Sequence, residues 1–226
     1  MPTVLENPLA EIKPVRSPKL YTLGEYLIRE EKSQERHDYY DGEIKRIPMA
    51  RGPHNEIAVN ISTALKNAFK SLTTKYRVFS SDQNIYLPEL NFGVYPDAVV
   101  VCEVPKYYDN NQVLMLNPLL IVEVLSRSTS KYDRGDKFEY YKTAPSFKEY
   151  LLIEQNFCQV ETRFQEEPNL WRETKVAGME AQIDLKSVGI SINLSDIYEN
   201  EHRRPRRRRN WTRGHRTGFE SGESRC

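Results

Sequence analysis

The sequence lacks any long apolar run: its most hydrophobic stretches are short segments such as AVVVC and LLIVEV. A helix that crosses a bilayer needs about 20 consecutive apolar residues, so none of these stretches is long enough to span a membrane. The chain also does not open with a charged segment followed by an apolar one, the pattern of a secretory signal. We therefore expect a cytoplasmic protein that does not interact with membranes.

Cysteine is scarce as well, with three residues, Cys102, Cys158 and Cys226, and no CxxC spacing among them. This excludes a zinc ribbon and argues against a disulfide framework, which needs an even number of regularly spaced cysteines. The sequence also has no internal repeat. These absences indicate an ordinary globular chain in a reducing compartment, which is consistent with its 38% hydrophobic residues.

Positive charge is sparse in most of the chain and concentrated at its end. Residues 1–200 carry 24 Lys and Arg against 29 Asp and Glu, whereas residues 201–226 carry 9 against 3. The net charge of the main part therefore gives no argument for attraction to nucleic acid.

Composition divides the chain into three parts. Residues 1–19 contain four prolines and no sustained hydrophobic period, which predicts a disordered leader. Residues 201–226 contain a self-repelling arginine run and predict a disordered tail. Between them, residues 20–200 match the size of one domain. Composition leaves open whether the tail is a nucleic-acid-attracting arm or an adventitious extension.

Local signals predict the first elements of this domain. Thr22 followed by Glu25 is a capping-box pattern that predicts a helix to about residue 31. The Asp41-Gly42 pair between β-prone residues predicts a hairpin. Apolar residues every three or four positions predict a long helix over about 53–73.

The rest of the domain alternates between β-rich segments and one further helix. Ser130 with Asp133 suggests a second capping box and a helix near 131–143. Strands are predicted at 77–80, 84–87, 94–102, 119–125, 149–154, 159–164, 171–176 and 190–193.

Two carboxylates, Asp97 and Glu123, stand in strand segments that otherwise look buried on both faces. Burying an ionised carboxylate costs several kcal/mol unless it is paired or bound to a metal. The sequence therefore predicts a compensating cation beside them. Mg²⁺ or Mn²⁺ fits oxygen ligands of this kind, and such a centre suits phosphodiester hydrolysis.

Lys137 is the candidate for the positively charged partner, since it follows Glu123 by 14 residues and the intervening loop and helix can bring it back over the strand end. Simpler explanations remain open. Asp97 follows a proline, as turn residues often do, and Glu123 can form a structural ion pair with Arg134 or Lys137.

Six short motifs that include these residues occur in a fixed order. They are HN-x-I at 54–57, D-x-x-I at 82–85, YPD at 95–97, EVLS-x-ST at 123–129, YD-x-GDK at 132–137 and EYLLI at 149–153. This order resembles the Uma-two-type family of predicted bacterial restriction endonucleases, part of the PD-(D/E)xK nuclease superfamily. The resemblance covers about residues 21–198.

The resemblance implies an α/β, restriction-endonuclease-like core, with a mixed central sheet flanked by helices, and divalent-metal-dependent cleavage of DNA. It also implies roles for particular residues. The implied catalytic residues are Asp97, Glu123 and Lys137, the implied metal ligands are Asp97, Glu123 and Asp82, and the implied supporting residues are Glu43 and His54.

One departure from the superfamily pattern is that position 125, two residues after Glu123, holds Leu where the compact motif has Lys. Activity would therefore depend on Lys137. The rival interpretation is a catalytically silent module that keeps the fold and binds nucleic acid or a protein. If the protein cuts both strands of DNA, we expect a homodimer.

Overall fold

A computed structural model describes residues 19–108 and 112–199. The predicted leader, apart from Lys19, and the predicted tail at 201–226 lie outside these residues. No helix in the described ranges has the length and apolar character needed to cross a bilayer. The helices are α1 (Leu23–Lys32), α2 (Gly52–Phe69), α3 (Ser130–Arg134), α4 (Asp136–Tyr141) and α5 (Leu194–Ile197).

Strands make up most of the remaining regular structure. They are β1 (His37–Tyr40), β2 (Glu43–Arg46), β3 (Tyr76–Ser80), β4 (Asn84–Leu87), β5 (Phe92–Val94), β6 (Ala98–Cys102), β7 (Leu114–Met115), β8 (Leu120–Leu125), β9 (Glu149–Glu154), β10 (Gln159–Glu167), β11 (Leu170–Ala177), β12 (Gln182–Leu185) and β13 (Ile190–Asn193).

The centre of the fold is a six-stranded sheet with the order β11-β10-β9-β8-β6-β3. Its middle pair, β8 and β9, is parallel, and the other neighbours are antiparallel. Helix α2, the β12–β13 hairpin and α5 pack on one face. Helix α4 and a five-stranded sheet, β2-β1-β5-β4-β7, cover the other. The predicted mixed sheet flanked by helices is confirmed.

Strand β8 is buried along its whole length because both faces of the central sheet are covered. Its residues alternate as the sequence predicts: Leu120, Val122 and Val124 pack in the cluster with α2, and Ile121 and Leu125 pack in the cluster with α4. The same alternation directs Glu123 toward the α4 side of the sheet.

The predicted signals at the start of the domain are confirmed. Thr22 and Glu25 form a reciprocal capping box at α1. Asp41 and Gly42 both have positive φ, at 43° and 101°, as a tight hairpin turn requires. Helix α2 buries its apolar stripe as predicted, although it ends at Phe69 rather than near residue 73.

Two predicted elements are divided in the structure. The segment 94–102 forms two strands, β5 and β6, which belong to different sheets. They separate at the Pro96 position, since proline has no N–H to donate to a sheet.

The helix predicted at 131–143 is divided at Gly135 into α3 and α4. The predicted capping box is wrong, because the N-cap is Thr129 and its side chain makes no cap bond. The short elements β7, β12 and α5 were not predicted.

Candidate functional site

Asp97 stands at the entrance to β6, directly beside β8. Its N–H donates to the Val122 carbonyl oxygen over 3.1 Å, and its Oδ2 accepts a hydrogen bond from the Val124 N–H over 2.7 Å. These two bonds fix the carboxylate against the backbone on either side of Glu123. The antiparallel pairing of β6 with β8 thus brings the two predicted carboxylates together.

Lys137 is the cation that compensates Glu123. The Lys137 Nζ lies 2.7 Å from Glu123 Oε1, and both side chains are at least 93% buried. Lys137 also donates to the Tyr95 carbonyl oxygen over 3.1 Å, and the Tyr141 hydroxyl donates to Glu123 Oε1 over 3.0 Å. Helix α4 carries both Lys137 and Tyr141, so packing this helix on the sheet assembles the pair.

Two further acids surround the ammonium group, and sequence reasoning did not select either as part of the site. Asp133 Oδ1 lies 4.0 Å from Lys137 Nζ, one helical turn earlier in the chain. Asp38, on β1, accepts hydrogen bonds from the Tyr95 N–H and the Tyr40 hydroxyl, and its charge interacts with Lys137. The spacing of four residues between Asp133 and Lys137 could have predicted their contact on one helix face. No local sequence pattern indicates that Asp38 lies near Lys137.

His54 supports Asp97 from the first turn of α2. Its Nε2 lies 3.2 Å from Asp97 Oδ2. Burial lowers the pKa of His54, but the hydrogen bond and the charge of Asp97 outweigh this and raise the pKa overall. His54 therefore holds the Asp97 carboxylate in place, which is compatible with the supporting role that the family resemblance implies.

Burial governs the protonation of the acids around Lys137. It raises the pKa of Glu123 well above the ordinary value in spite of the nearby ammonium group, and it raises the pKa values of Asp133 and Asp38. Burial lowers the pKa of Lys137, but the surrounding carboxylates outweigh it and raise that pKa. Lys137 is therefore a cation at neutral pH, outnumbered by acidic side chains.

The other two predicted residues lie apart from this group. Asp82 has 85% of its side chain exposed and pairs with Arg36 over 3.6 Å. Within the described part of the chain, no contact joins it to Asp97 or Glu123. Glu43 pairs with Lys45 over 3.5 Å and lines a cleft that also reaches Asp133 and Lys137.

Any metal ion at this group would have only a few ligands from the described residues. Across residues 19–108 and 112–199, no group of three or more His, Cys, Asp or Glu side chains is arranged to hold a metal. Within the same ranges, neither Asp97 Oδ1 nor Glu123 Oε2 accepts a hydrogen bond. Mg²⁺ is commonly held by one or two carboxylates, with waters and substrate phosphates completing its shell. This donor set fits Mg²⁺ or Mn²⁺ and does not form a cage made of protein alone.

Comparisons with known proteins identify the family of this chain. Residues 23–195 match the family Uma2, described as "Putative restriction endonuclease". Two Synechocystis sp. proteins, named "Uncharacterized protein sll1609" and "Uncharacterized protein slr1290", are 36% and 31% identical to this chain over 176 and 174 residues. The alignments cover 78% and 77% of this chain and 98% and 89% of the relatives.

A solved structure shares the fold. It is described as "a putative nuclease belonging to DUF820 from Anabaena variabilis", with a TM-score of 0.63 and 16% sequence identity. The match covers 79% of this chain and 97% of that one. The predicted restriction-endonuclease-like fold is thereby confirmed.

Proposed function

Because the chain belongs to the Uma2 family, we propose that it is a divalent-metal-dependent endonuclease that hydrolyses phosphodiester bonds in DNA. One observation carries the proposal: Asp97 and Glu123 meet at adjacent strands, with a buried, charged Lys137 in contact with Glu123. A family of nucleases, a nuclease-like fold and this triad support the same chemistry.

Asp97 and Glu123 would hold Mg²⁺ or Mn²⁺, and a bound ion of this type polarises a phosphoryl oxygen and activates water. Glu123 and the Tyr95 carbonyl oxygen hold the Lys137 ammonium in place, so it needs no reorganisation to stabilise negative charge on the phosphate. His54 keeps Asp97 oriented through the contact at Oδ2.

The proposed metal site does not use Asp82, since that side chain is exposed and paired with Arg36. Glu43 remains a proposed supporting residue, but it lies in the cleft wall and not beside the proposed ligands.

The test is nicking of supercoiled plasmid by the full chain with Mg²⁺ or Mn²⁺, and with EDTA as the metal-free control. Asp97→Asn and Lys137→Met should each lower the rate by about 100-fold or more, the size of effect seen when one charge-stabilising group is removed. Asp196→Asn and Lys186→Met change exposed residues of the same types and should leave the rate unchanged.

Circular dichroism of each variant establishes that it is folded. If the folded wild-type protein fails to nick plasmid with either metal, or if both site variants nick as fast as wild type, the proposal is wrong.

A second function is favoured by the same contact between Lys137 and Glu123. A buried ion pair of 2.7 Å already neutralises one of the proposed ligands, as in a purely structural pair. The corresponding function is a catalytically silent module that binds nucleic acid or a protein. Retention of DNA binding by a protein that neither nicks DNA nor binds metal would favour it.

Cleavage of both DNA strands would require two such sites, so a homodimer is part of the proposal for double-strand cutting. Sedimentation velocity of the full chain, with and without DNA, measures this directly. The expected cytoplasmic location also stays a prediction.

A further inference from the structure

Five aromatic side chains line the cleft beside the site, and all but the buried Tyr95 are half-buried. The cleft has a volume of about 930 Å³, and its wall includes Tyr40, Phe92, Tyr132 and Tyr140, each half-buried. Phe92 meets Tyr40 and Tyr140 edge to face, with ring centroids 5.1 and 5.0 Å apart. We call this space the aromatic cleft.

The aromatic cleft is continuous with the proposed catalytic group. The hydroxyls of Tyr132 and Tyr40 are in hydrogen-bond contact, and Tyr40 donates onward to Asp38. Asp38 accepts from the Tyr95 N–H, and the Tyr95 carbonyl accepts from Lys137. A group stacked on these rings would therefore lie next to a phosphate bound at Lys137.

The cleft wall carries a surplus of negative charge, which repels phosphate. Its exposed or half-buried acids outnumber the basic side chains Lys45 and Arg46, and one of the acids, Glu43, already pairs with Lys45. Carboxylates repel the backbone of a nucleic acid but accept hydrogen bonds from amino and imino groups of bases. The acids in question are Asp38, Asp41, Glu43, Glu89 and Asp136.

We propose that the aromatic cleft binds an unpaired nucleobase of the DNA strand, next to the phosphodiester bond that is cut. This rests on the proposed nuclease function and names its substrate class: DNA with an unpaired base at the cleavage position. In a duplex, both faces of each base are stacked and its hydrogen-bonding edge is paired, so the base must leave the helix to reach such a cleft. Stacking on aromatic rings and hydrogen bonds to carboxylates then replace the lost partners.

Fluorescence of 2-aminopurine tests the proposal directly, because stacking of this base analogue changes its emission. The full chain is titrated into oligonucleotides that carry the analogue in a single strand or in a matched duplex, with Ca²⁺ in place of Mg²⁺ and a gel to verify intact DNA. Wild type should quench the single strand and bind it at least 10-fold more tightly than the duplex. Because emission reports stacking of the base, binding through residues 201–226 alone would not quench it.

Substitutions at Tyr140 separate ring stacking from general packing. Tyr140→Leu keeps a buried apolar surface but removes the ring, and it should weaken single-strand binding roughly 5- to 100-fold. Tyr140→Phe keeps the ring and should bind like wild type. Phe157→Leu, an exposed aromatic outside the cleft, is the matched control and should have no effect.

The outcomes distinguish this proposal from the nuclease function. Plasmid nicking combined with equal quenching by wild type and Tyr140→Leu would overturn the aromatic cleft as a base site and leave the nuclease standing. Quenching that Tyr140→Leu abolishes, in a protein that never nicks DNA, would keep the base site and reject the nuclease. Tighter binding of the duplex than of the single strand would also overturn the proposal.

Discussion

The individual side chains around Lys137 form a group that function explains better than stability does. Burial raises the pKa values of Glu123, Asp133 and Asp38, so ionising these acids costs free energy in the folded protein. A single ammonium group faces all three. A surplus of buried acid is costly to a fold, and it is an arrangement that attracts a metal cation.

Replacing Asp133 with Asn should stabilise the protein at neutral pH. Because the carboxyl pKa is raised above its ordinary 3.8 on folding, the folded state holds the proton more tightly than the unfolded state. The free energy of unfolding therefore falls as the pH rises from the unfolded-state pKa of 3.8 to the raised folded-state pKa. Asparagine cannot ionise, so the substitution removes this loss of stability. We expect the Tm at pH 7.5 to rise by a few degrees, since 1 kcal/mol shifts Tm by about 2–4 °C in a chain of this size.

The gain in Tm should shrink as the pH falls toward the ordinary carboxyl pKa of 3.8, because the acid is then protonated in the folded state and increasingly also in the unfolded state. Thermal unfolding between pH 4.5 and 8 measures it, with Asp184→Asn, an exposed acid of β12, as the control. A lower Tm at neutral pH would show that Asp133 stabilises the fold as an ionised partner of Lys137.

Among the secondary-structure elements, the break between α3 and α4 positions the lysine. Gly135 has φ −107° and ψ −102°, outside the helical region. A Cβ at this position would lie 3.1 Å from the Lys131 carbonyl oxygen. The break lets α4 begin in a new direction, with Lys137 in its first turn.

Gly135→Ala should therefore affect stability and activity together. The added Cβ would press against the Lys131 carbonyl oxygen, and overpacking of this kind costs about 1–3 kcal/mol. A backbone shift that relieves the contact would turn α4 and move Lys137 from Glu123. We expect a lower Tm and a nicking rate reduced by about 10-fold or more. Gly178→Ala is the control. Gly178 lies at an exposed turn with open space around its Cβ position but with a positive φ of 98°, so alanine there should lower the Tm without changing the nicking rate. An unchanged nicking rate in Gly135→Ala would mean that the break does not position Lys137.

At the scale of the whole molecule, metal binding at the proposed site would be coupled to folding, because the two proposed ligands are distant in sequence and meet only in the folded chain. A metal that binds the folded state alone stabilises it by about 2.7 kcal/mol at 100 times its Kd. We expect Mn²⁺ or Mg²⁺ to raise the Tm of wild type by several degrees, and Asp97→Asn to lose most of that rise.

The measurement is differential scanning fluorimetry over a metal titration, with Asp196→Asn as the matched variant. Equal shifts in wild type and Asp97→Asn would place metal binding elsewhere on the protein.

The amino-acid sequence by itself determined the features that depend on neighbouring residues. Period-two alternation in β8 predicted its buried strand, and the Asp41-Gly42 pair predicted the hairpin turn. An acid among apolar residues requires a cation, and Lys137, which the sequence predicts in that place, contacts Glu123. Local backbone preference and the cost of buried charge are enough for these predictions.

Only the tertiary structure decided which distant residues join this group. Asp38 enters because the β1–β2 hairpin belongs to a second sheet that packs beside β6, and Asp82 stays in solvent although it belongs to a motif. The aromatic cleft likewise combines residues from β1, β5 and the α3–α4 region. Their proximity depends on how sheets and helices pack over long separations in sequence, and no local period or propensity encodes that arrangement.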